Sequence, residues 1–193
     1  NVAKFSAEQA RAFGTVGPTA RASGIDLDVR RDDPYAAYGE MPFKVIISDR
    51  GDLLGRAIVR LEEIGESIKI LKYALQNLPD GPLTVKAPRK VPAGEAVSRY
   101  EAPRGEDIHY VRADGSDHPE RVKVRAPTMA NIYAIGESMK GSYVADIPII
   151  IASIDPCFSC TDRMIKIVRQ ESGEARTMTW EELRQYGIRW YQQ

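Results

Sequence analysis

The sequence is poor in cysteine and histidine, and it has no excess of charge of either sign. Its 193 residues include two cysteines and two histidines, and Lys plus Arg equal Asp plus Glu at 27 each. So few cysteines exclude a disulfide-rich scaffold. Balanced charge provides no general attraction to a polyanion, so we expect no nucleic-acid partner.

Long hydrophobic runs are also missing. The longest, residues 147–154, is interrupted by Pro148 and Ser153, and it is far shorter than the roughly 20 apolar residues that a transmembrane helix needs. No signal-peptide pattern opens the chain. Hydrophobic residues still make up 43% of the sequence, which is enough for one substantial core. We therefore expect a folded, cytoplasmic protein.

Apolar periodicity predicts one long helix with a single buried face. Large apolar residues recur at three- and four-residue steps after Asp52, and the prolines and glycine of residues 79–82 end the pattern, which predicts about seven turns. The stripe comprises Leu54, Ile58, Leu61, Ile64, Ile68, Leu71 and Leu75. Helices of this length usually belong to bundles, and this chain offers few others of equal length. The imbalance indicates a missing partner or a missing half.

The other predicted elements are short. Met41–Ser48 is apolar and β-branched, which is typical of a strand. Residues 79–95 are rich in Pro, Gly and Lys and mark a loop or seam. Three strand-like segments with a hairpin turn between the last two follow; they cover residues 96–102, 108–113 and 121–126, and the turn is Asp114-Gly115.

Helices are predicted after the strands, where Thr128 can cap one that ends near Lys140 and residues 143–154 supply a second. The predicted class is α+β, with a long core helix, C-terminal helices of a bundle and a small antiparallel sheet. Beyond Arg163 a strand from Met164 and a helix opened by a capping box at Thr179 are expected.

Both cysteines lie in one short segment, Asp155-Pro156-Cys157-Phe158-Ser159-Cys160. Asp155 and Pro156 suit the N-cap and first position of a helical turn, which would place the two sulfurs on one side. Such a thiolate pair suits zinc, copper(I), an iron–sulfur cluster or another thiophilic centre, and equally a redox disulfide. The motif alone does not choose among these or exclude buried thiols of no special role.

Three segments together resemble the large, catalytic subunit of nickel–iron hydrogenases, in its C-terminal portion. Residues 155–163 resemble the family's terminal Asp-Pro-Cys-x-x-Cys-x-x-(His or Arg) signature, and Arg at 163 resembles the membrane-associated, energy-converting and formate-hydrogenlyase branch. Residues 101–105, Glu-Ala-Pro-Arg-Gly, with His109 four residues on, are similar to the segment beside the open metal position. A third block resembles one that this branch shares with the quinone-site subunit of respiratory complex I: Gly17-Pro18, Arg21, Gly24, Asp28, Arg30 and Pro34-Tyr35.

The resemblance implies a site for reversible oxidation of dihydrogen. In the family, four thiolates hold a Ni–Fe centre whose iron also carries cyanide and carbon monoxide. Cys157 would be a terminal nickel ligand and first proton acceptor, and Cys160 would bridge nickel and iron. Arg104, paired with Asp155, would project over the open metal position. The cofactor pocket would also include Pro103 and Pro156.

One part of the family pattern does not occur in this sequence, namely the Arg-x-Cys-Gly-x-Cys segment that supplies the other two thiolates. We therefore expect residues 1–163, with a seam near 79–95, to be the C-terminal portion of a longer subunit, inactive by itself and without bound metal. Residues 164–193 would be an extension of an unprocessed precursor, which a maturation endopeptidase removes by cutting between Arg163 and Met164.

The resemblance also implies partners and leaves two alternatives. Expected partners are the N-terminal half of the same subunit, an iron–sulfur small subunit, membrane subunits, metal-insertion chaperones and the maturation endopeptidase, with the assembly on the cytoplasmic face of the membrane. One alternative is a complex I-like structural or quinone-site subunit, although such subunits lack the thiolate pair. The other is a zinc-binding domain in which His109 or His118 completes the site.

Overall fold

The computed structural model describes residues 2–161, 165–168 and 172–192, so the predicted cleavage site at Arg163 and Met164 lies outside the described residues. The chain divides into two compact units, Asn1–Pro156 and Cys157–Gln193. Helices and two small antiparallel sheets make up the described parts, which confirms the predicted α+β class.

The first unit combines helices with a three-stranded sheet. Its helices are α1 (Ala7–Ala12), α2 (Gly17–Arg21), α3 (Val29–Asp32), α4 (Leu53–Gln76), α5 (Pro127–Ser138) and α6 (Ile147–Ala152), with 3-10 turns at Tyr38–Glu40 and Val144–Asp146. Its strands are β1 (Gly94–Ala102), β2 (Gly105–Ala113) and β3 (Pro119–Arg125), antiparallel in the order β1-β2-β3. The predicted sheet is thus confirmed, with its hairpin turn at residues 114–118.

The core of this unit is small and lies where α1, α5 and α6 meet. Phe5, Ala10, Ile135 and Ile150 are each at most 3% exposed and form one buried cluster. Ser6 begins α1 with a capping box, because its hydroxyl accepts from the Gln9 amide while the Gln9 side chain accepts from the Ser6 amide. Apart from Leu53, which packs against this cluster, the long helix α4 is held by contacts outside the core.

Helix α4 does not bury its apolar stripe, contrary to the prediction. Leu61 is 69% exposed and Leu75 is 76% exposed, and Leu54, Ile64, Ile68 and Leu71 are also exposed. The face turned to the rest of the unit instead mixes a glycine, two aliphatic residues and two charged residues: Gly55, Val59, Ile70, Arg56 and Glu66. Periodicity correctly located the helix, but the wrong face was assigned to the interior.

Three further local predictions are wrong. Residues 42–48 form no strand, because the Ser48 amide donates to the Arg21 carbonyl at the end of α2 and the Lys44 amide donates to the Glu66 carboxylate. Ala126, not Thr128, is the N-cap of α5, because Pro127 fits the first helical position. Residues 143–154 form a 3-10 turn followed by the six-residue α6 instead of one helix.

The second unit contains the cysteine turn and the predicted extension. Its elements are α7 (Phe158–Thr161), β4 (Ile165–Val168), β5 (Ala175–Met178) and α8 (Trp180–Tyr191), with β4 and β5 antiparallel. The predicted capping box at Thr179 is confirmed, with Glu182 as its partner. Across the described parts of both units, no helix is long and apolar enough to cross a membrane.

Candidate functional site

The turn between β1 and β2 and the segment after α6 bring Arg104 and Asp155 together. The Arg104 Nε donates to the Asp155 carbonyl oxygen at 2.6 Å, and its Nη2 donates to the Asp155 carboxylate at 3.1 Å. A guanidinium that binds both the backbone and the side chain of one residue is fixed in position and direction. The two predicted site residues are therefore neighbours, although they are 51 positions apart in sequence.

Two glycines and a buried amide set the position of the Arg104 turn. Gly17 begins α2 with a positive φ of 64°, and a Cβ there would lie 2.3 Å from the Cα of Gly105. Only residues without side chains allow this approach. Asn131 on α5, which is fully buried, accepts from the Val16 amide and donates to the carbonyls of Val16 and Arg104. Helices α2 and α5 thus anchor the turn from two sides.

Asp155 does not cap a helix, contrary to the prediction. Its φ is +52°, in the left-handed region, and the helical turn begins only at Phe158. Asp tolerates this backbone better than most residues do, because its short side chain can bond locally. The left-handed residue ends the segment after α6 and presents its carbonyl to Arg104.

Two substitutions that both remove the Asp155 side chain measure how much its left-handed backbone conformation costs in stability. Asp155→Ala is expected to be less stable than Asp155→Gly by about 1 kcal/mol, because only glycine adopts a positive φ without a steric cost. Both variants lose the same carboxylate, so each is the control for the other. Urea denaturation followed by circular dichroism measures the difference, and equal stabilities would contradict the assigned conformation.

Two arginines of α4 hold the segment that leads to Asp155. The Arg56 Nε donates to the Ser153 hydroxyl at 2.9 Å, and the Arg60 Nε donates to the Ser153 carbonyl at 3.2 Å. Burial lowers the pKa of Arg56 to about 10 and also lowers the pKa of Arg60, because neither has a carboxylate close enough to offset desolvation fully. Both arginines lie off the apolar stripe, on a face of α4 that the sequence pattern predicts to be solvent-exposed.

A buried cluster of charges lies behind the Arg104 turn. Arg21, 1% exposed, donates to Glu63 at 2.7 Å and to Glu101 at 2.8 Å, and its Nη1 lies 3.4 Å from the Asp28 carboxylate. Arg30 binds Asp28 through both oxygens. Burial works against the charge of Arg21, but the three carboxylates outweigh it and raise the pKa of Arg21. Three residues of the block that resembles the one shared with complex I, Arg21, Asp28 and Arg30, thus belong to an interior ion network.

A cavity of about 510 Å³ opens beside this cluster. Its wall includes Pro103 and Asp155, two of the predicted site residues, and Arg60 of α4. The remaining walls carry both charged and neutral groups: Arg21, Arg30, Tyr38, Glu63, Ile64, Ser67, Glu101 and Ala102. The first unit therefore has a pocket of mixed charged and apolar lining, onto which the Arg104 turn, α4 and the ion network all face.

The cysteine turn belongs to the second unit. Cys157 and Cys160 are half-buried, the Cys160 amide donates to the Cys157 carbonyl at 3.1 Å, and the Cys157 sulfur lies 3.0 Å from the Ser159 hydroxyl. Pro156, exposed, precedes the turn at the end of the first unit. Cys160 lies in α7 and Cys157 directly precedes it, so the backbone bond between them closes a tight turn that holds the two cysteines three residues apart.

Two thiolates supply half the donor set of a four-thiolate centre. In the ranges described, no group of three or more His, Cys, Asp or Glu side chains is placed to hold a metal ion. His109 contacts Asp107 at 3.0 Å, and His118, which is 85% exposed, contacts Asp117 at 2.7 Å. Among the described residues, the two cysteines are therefore not joined by a third such side chain placed to hold a metal.

Comparison with known proteins shows that the chain is similar to subunits of respiratory enzymes and of hydrogenases. The family described as "Respiratory-chain NADH dehydrogenase, 49 Kd subunit" matches residues 1–91 and 84–163. Its two matches overlap at residues 84–91, within the predicted seam. The fold and the matches define a class of subunits found in both hydrogenases and NADH-quinone oxidoreductases. The chain belongs to the 49 kDa subunit family.

Individual relatives come from both branches of the family. The chain is 46% identical to the carbon monoxide-induced hydrogenase of Rhodospirillum rubrum over 78% of its length and 42% of that protein. It is 44% identical to an NADH-quinone oxidoreductase subunit of Clostridium beijerinckii, covering 82% of the chain and 44% of the relative. It is 37% identical to formate hydrogenlyase subunit 5 of Escherichia coli, covering 97% of the chain and 33% of that protein. The chain spans less than half the length of these relatives.

A solved structure supports the same assignment. A chain in the membrane-bound sulfane sulfur reductase, described as an archaeal respiratory membrane complex, superimposes with a TM-score of 0.78 at 34% identity. The match covers 84% of this chain and 46% of that one. The fold is therefore shared with a subunit of a membrane-bound respiratory complex.

Proposed function

We propose that the chain is part of the catalytic subunit of a nickel–iron hydrogenase of the energy-converting, formate-hydrogenlyase type. The observation that carries the proposal is the Cys157–Cys160 pair, which follows directly on an Asp155 carboxylate held by Arg104. Hydrogenases among the relatives support it. The cysteines would supply two thiolates of the Ni–Fe centre, and the remaining ligands would come from a part of the subunit outside this sequence.

When bound, a Ni–Fe centre would supply the Lewis acidity that the heterolytic cleavage of dihydrogen requires. This chain's residues would prepare the site for that chemistry. Cys157 would accept the proton at its sulfur. Arg104, immobilised by two hydrogen bonds to Asp155, would project over the open metal position and orient the substrate there. Pro103 and Pro156 would line the cofactor pocket and limit its water content.

The functional test is hydrogen-dependent reduction of a viologen dye by the assembled, full-length protein. We expect activity in the wild type and a loss of about 100-fold in Arg104→Lys, since lysine cannot bind Asp155 through a planar fork. Arg99→Lys, on the strand β1 that leads into the Arg104 turn but paired with Asp33 and Glu106 on the surface, is the matched control and should keep full activity. An inactive wild type that still supports quinone reduction would favour a complex I-like subunit.

We propose that residues 164–193 are a removable extension. Two observations support this: the family match ends at residue 163, and the cysteine turn groups with the extension in one compact unit, Cys157–Gln193. The alignment with formate hydrogenlyase subunit 5 covers 97% of the chain, so it continues past residue 163. Mass spectrometry after coexpression with maturation factors should show a polypeptide that ends at Arg163.

The exposed stripe of α4 would be covered by a helix from the N-terminal half of the same subunit. Six large apolar residues exposed on one helix are unusual for a solvated face, and the matched part of this chain covers only 42% and 44% of two relatives. The iron–sulfur subunit, membrane subunits, insertion chaperones and endopeptidase would be further partners of the whole assembly on the membrane's cytoplasmic face.

Charges placed on the stripe should block this association without unfolding the chain. Leu61→Lys with Ile68→Lys is expected to change the free energy of unfolding of the isolated chain by less than about 0.5 kcal/mol, because both side chains are exposed. Co-purification with a coexpressed N-terminal half should be lost. Glu62→Lys, exposed on the same helix, is the control. Unchanged co-purification of the double variant would contradict the proposed contact.

A further inference from the structure

Two arginines lie one turn apart on α4 and are anchored by the same residue. Arg56 is fully buried and Arg60 is half-buried. The Arg56 Nε donates to the Ser153 hydroxyl, and the Arg60 Nε donates to the Ser153 carbonyl. Each guanidinium has further donors on its two terminal nitrogens, and those that are buried need acceptors in place of water.

Backbone carbonyls satisfy the terminal nitrogens of Arg56. Its Nη1 and Nη2 each donate to the Ala3 carbonyl at 3.1 Å, and Nη1 also donates to the Gly51 carbonyl at 3.5 Å. A planar guanidinium can hold a carbonyl through two nitrogens at once. Arg56 therefore fastens the chain at Ala3 to α4 through neutral acceptors.

Arg60 lacks equivalent acceptors among the residues that the structure describes. Apart from its bond to Ser153, its Nη2 is buried there without a hydrogen-bond partner. Burial lowers the pKa of Arg60, and the nearby carboxylates of Asp155 and Glu63 offset this only in part. Buried donors in native proteins are nearly always bonded. The missing acceptor for Arg60 is therefore expected outside the described part of the chain.

Arg60 lines the cavity of about 510 Å³, and the charges of that cavity favour a neutral acceptor. Its lining has three cations and three carboxylates: Arg21, Arg30 and Arg60, and Glu63, Glu101 and Asp155. Outside the lining, Arg104 binds Asp155 and Asp28 binds Arg30, which adds one charge of each sign. A single further ion would therefore stay unmatched where charge is poorly solvated. A carbonyl oxygen supplies an acceptor without adding a charge.

We propose that Arg60 binds backbone carbonyls of a segment from the N-terminal half of the subunit, and that this segment enters the cavity beside α4. Ile64, 56% exposed, belongs both to the cavity lining and to the apolar stripe of α4, so a partner that covers the stripe also reaches the cavity. Arg56 holds Ala3 in the same manner one turn earlier. The contact rests on the longer subunit of the proposed function and is independent of its hydrogenase chemistry.

Urea denaturation of the 193-residue chain compares the two arginines. Arg60→Met removes one hydrogen bond together with a poorly hydrated charge, so the midpoint should stay close to that of the wild type. Arg56→Met also removes the bonds to the Ala3 carbonyl and should lower the midpoint by about 1 M. Equal losses would mean that Arg60 has its partners within this chain, and would overturn the proposal.

Hydrogen exchange of the full-length subunit, read by mass spectrometry, locates the bound segment. The protein is prepared without maturation factors, so that no Ni–Fe centre is inserted. In Arg60→Met, a segment of the N-terminal half should exchange its amide hydrogens about 10-fold faster or more, because losing bonds to a charged donor favours local opening. Lys72→Met, exposed on the same helix, is the matched control and should leave exchange in that half unchanged.

Arg60→Lys separates lost bonds from general misfolding in the same experiment. Lysine keeps a cationic donor, so its effect on exchange should be smaller than that of methionine; equal effects would overturn the proposal. The proposal also fails if no segment outside residues 1–193 changes, or if protection of that segment requires an added quinone or the inserted metal centre. Nickel in the matured wild type is measured separately and decides the hydrogenase assignment, whichever exchange result is obtained.

Discussion

Serine in place of both Cys157 and Cys160 is expected to remove nickel from the assembled subunit and reduce hydrogen-dependent dye reduction to background. Nickel is retained by soft thiolates, and a serine hydroxyl neither ionises at neutral pH nor matches that softness. The two cysteines are joined by a backbone hydrogen bond in one tight turn, and their loss removes half of the expected ligand set. Elemental analysis and dye reduction on the same preparation measure the effect.

Phe158→Leu is the control for this double substitution. Phe158 lies between the cysteines in sequence and is 92% exposed, so the change alters the same turn without altering a metal donor. It should retain nickel and activity. Full function of the double serine variant would instead support the complex I-like alternative, in which the thiolates have no role.

Replacing Arg21 by methionine is expected to prevent stable folding of the first unit. The substitution leaves Glu63, Glu101 and Asp28 without their shared cation in a buried network. Removing one partner of a buried ion pair costs about 3–5 kcal/mol, which is a large part of the stability of an ordinary domain. Chemical denaturation followed by circular dichroism should show a sharply lower midpoint or no cooperative transition.

Arg31→Met provides the matched comparison. Arg31 is 41% exposed and pairs with Asp26 and Asp32 at the surface, where an ion pair contributes about 1 kcal/mol or less. Its midpoint should stay close to that of the wild type. If Arg21→Met behaved like Arg31→Met, the network around Arg21 would not be a structural centre of the fold.

The sequence located α4 but misassigned its faces. Periodicity shows that Leu61 and Leu75 lie on one side of a helix, yet it cannot tell whether the partner for that side is in the same chain. Because the stripe stays exposed here, Arg56 and Arg60 face inward and bind Ser153. Their i, i+4 spacing opposite an apolar stripe is also typical of a solvated surface, so the sequence alone held no signal for their role.

Only those site residues that belong to short sequence motifs could be predicted. Arg104 and Asp155 were named from separate segments, and the structure brings them together. Asn131 was missed because an asparagine within a helix has no motif, although its amide joins α5 to Val16 and Arg104. Asp155 was misread as a cap because Asp before Pro favours that interpretation, whereas the chain turns there through a left-handed residue.

Nickel content tests the central claim most directly. The assembled, full-length protein should be purified after coexpression with maturation factors, and its metals quantified per polypeptide. The account predicts nickel and iron in near-stoichiometric amounts in the wild type, with the nickel lost from the Cys157→Ser, Cys160→Ser double variant. A correctly assembled wild type without nickel would contradict the assignment of this chain to a hydrogenase catalytic subunit.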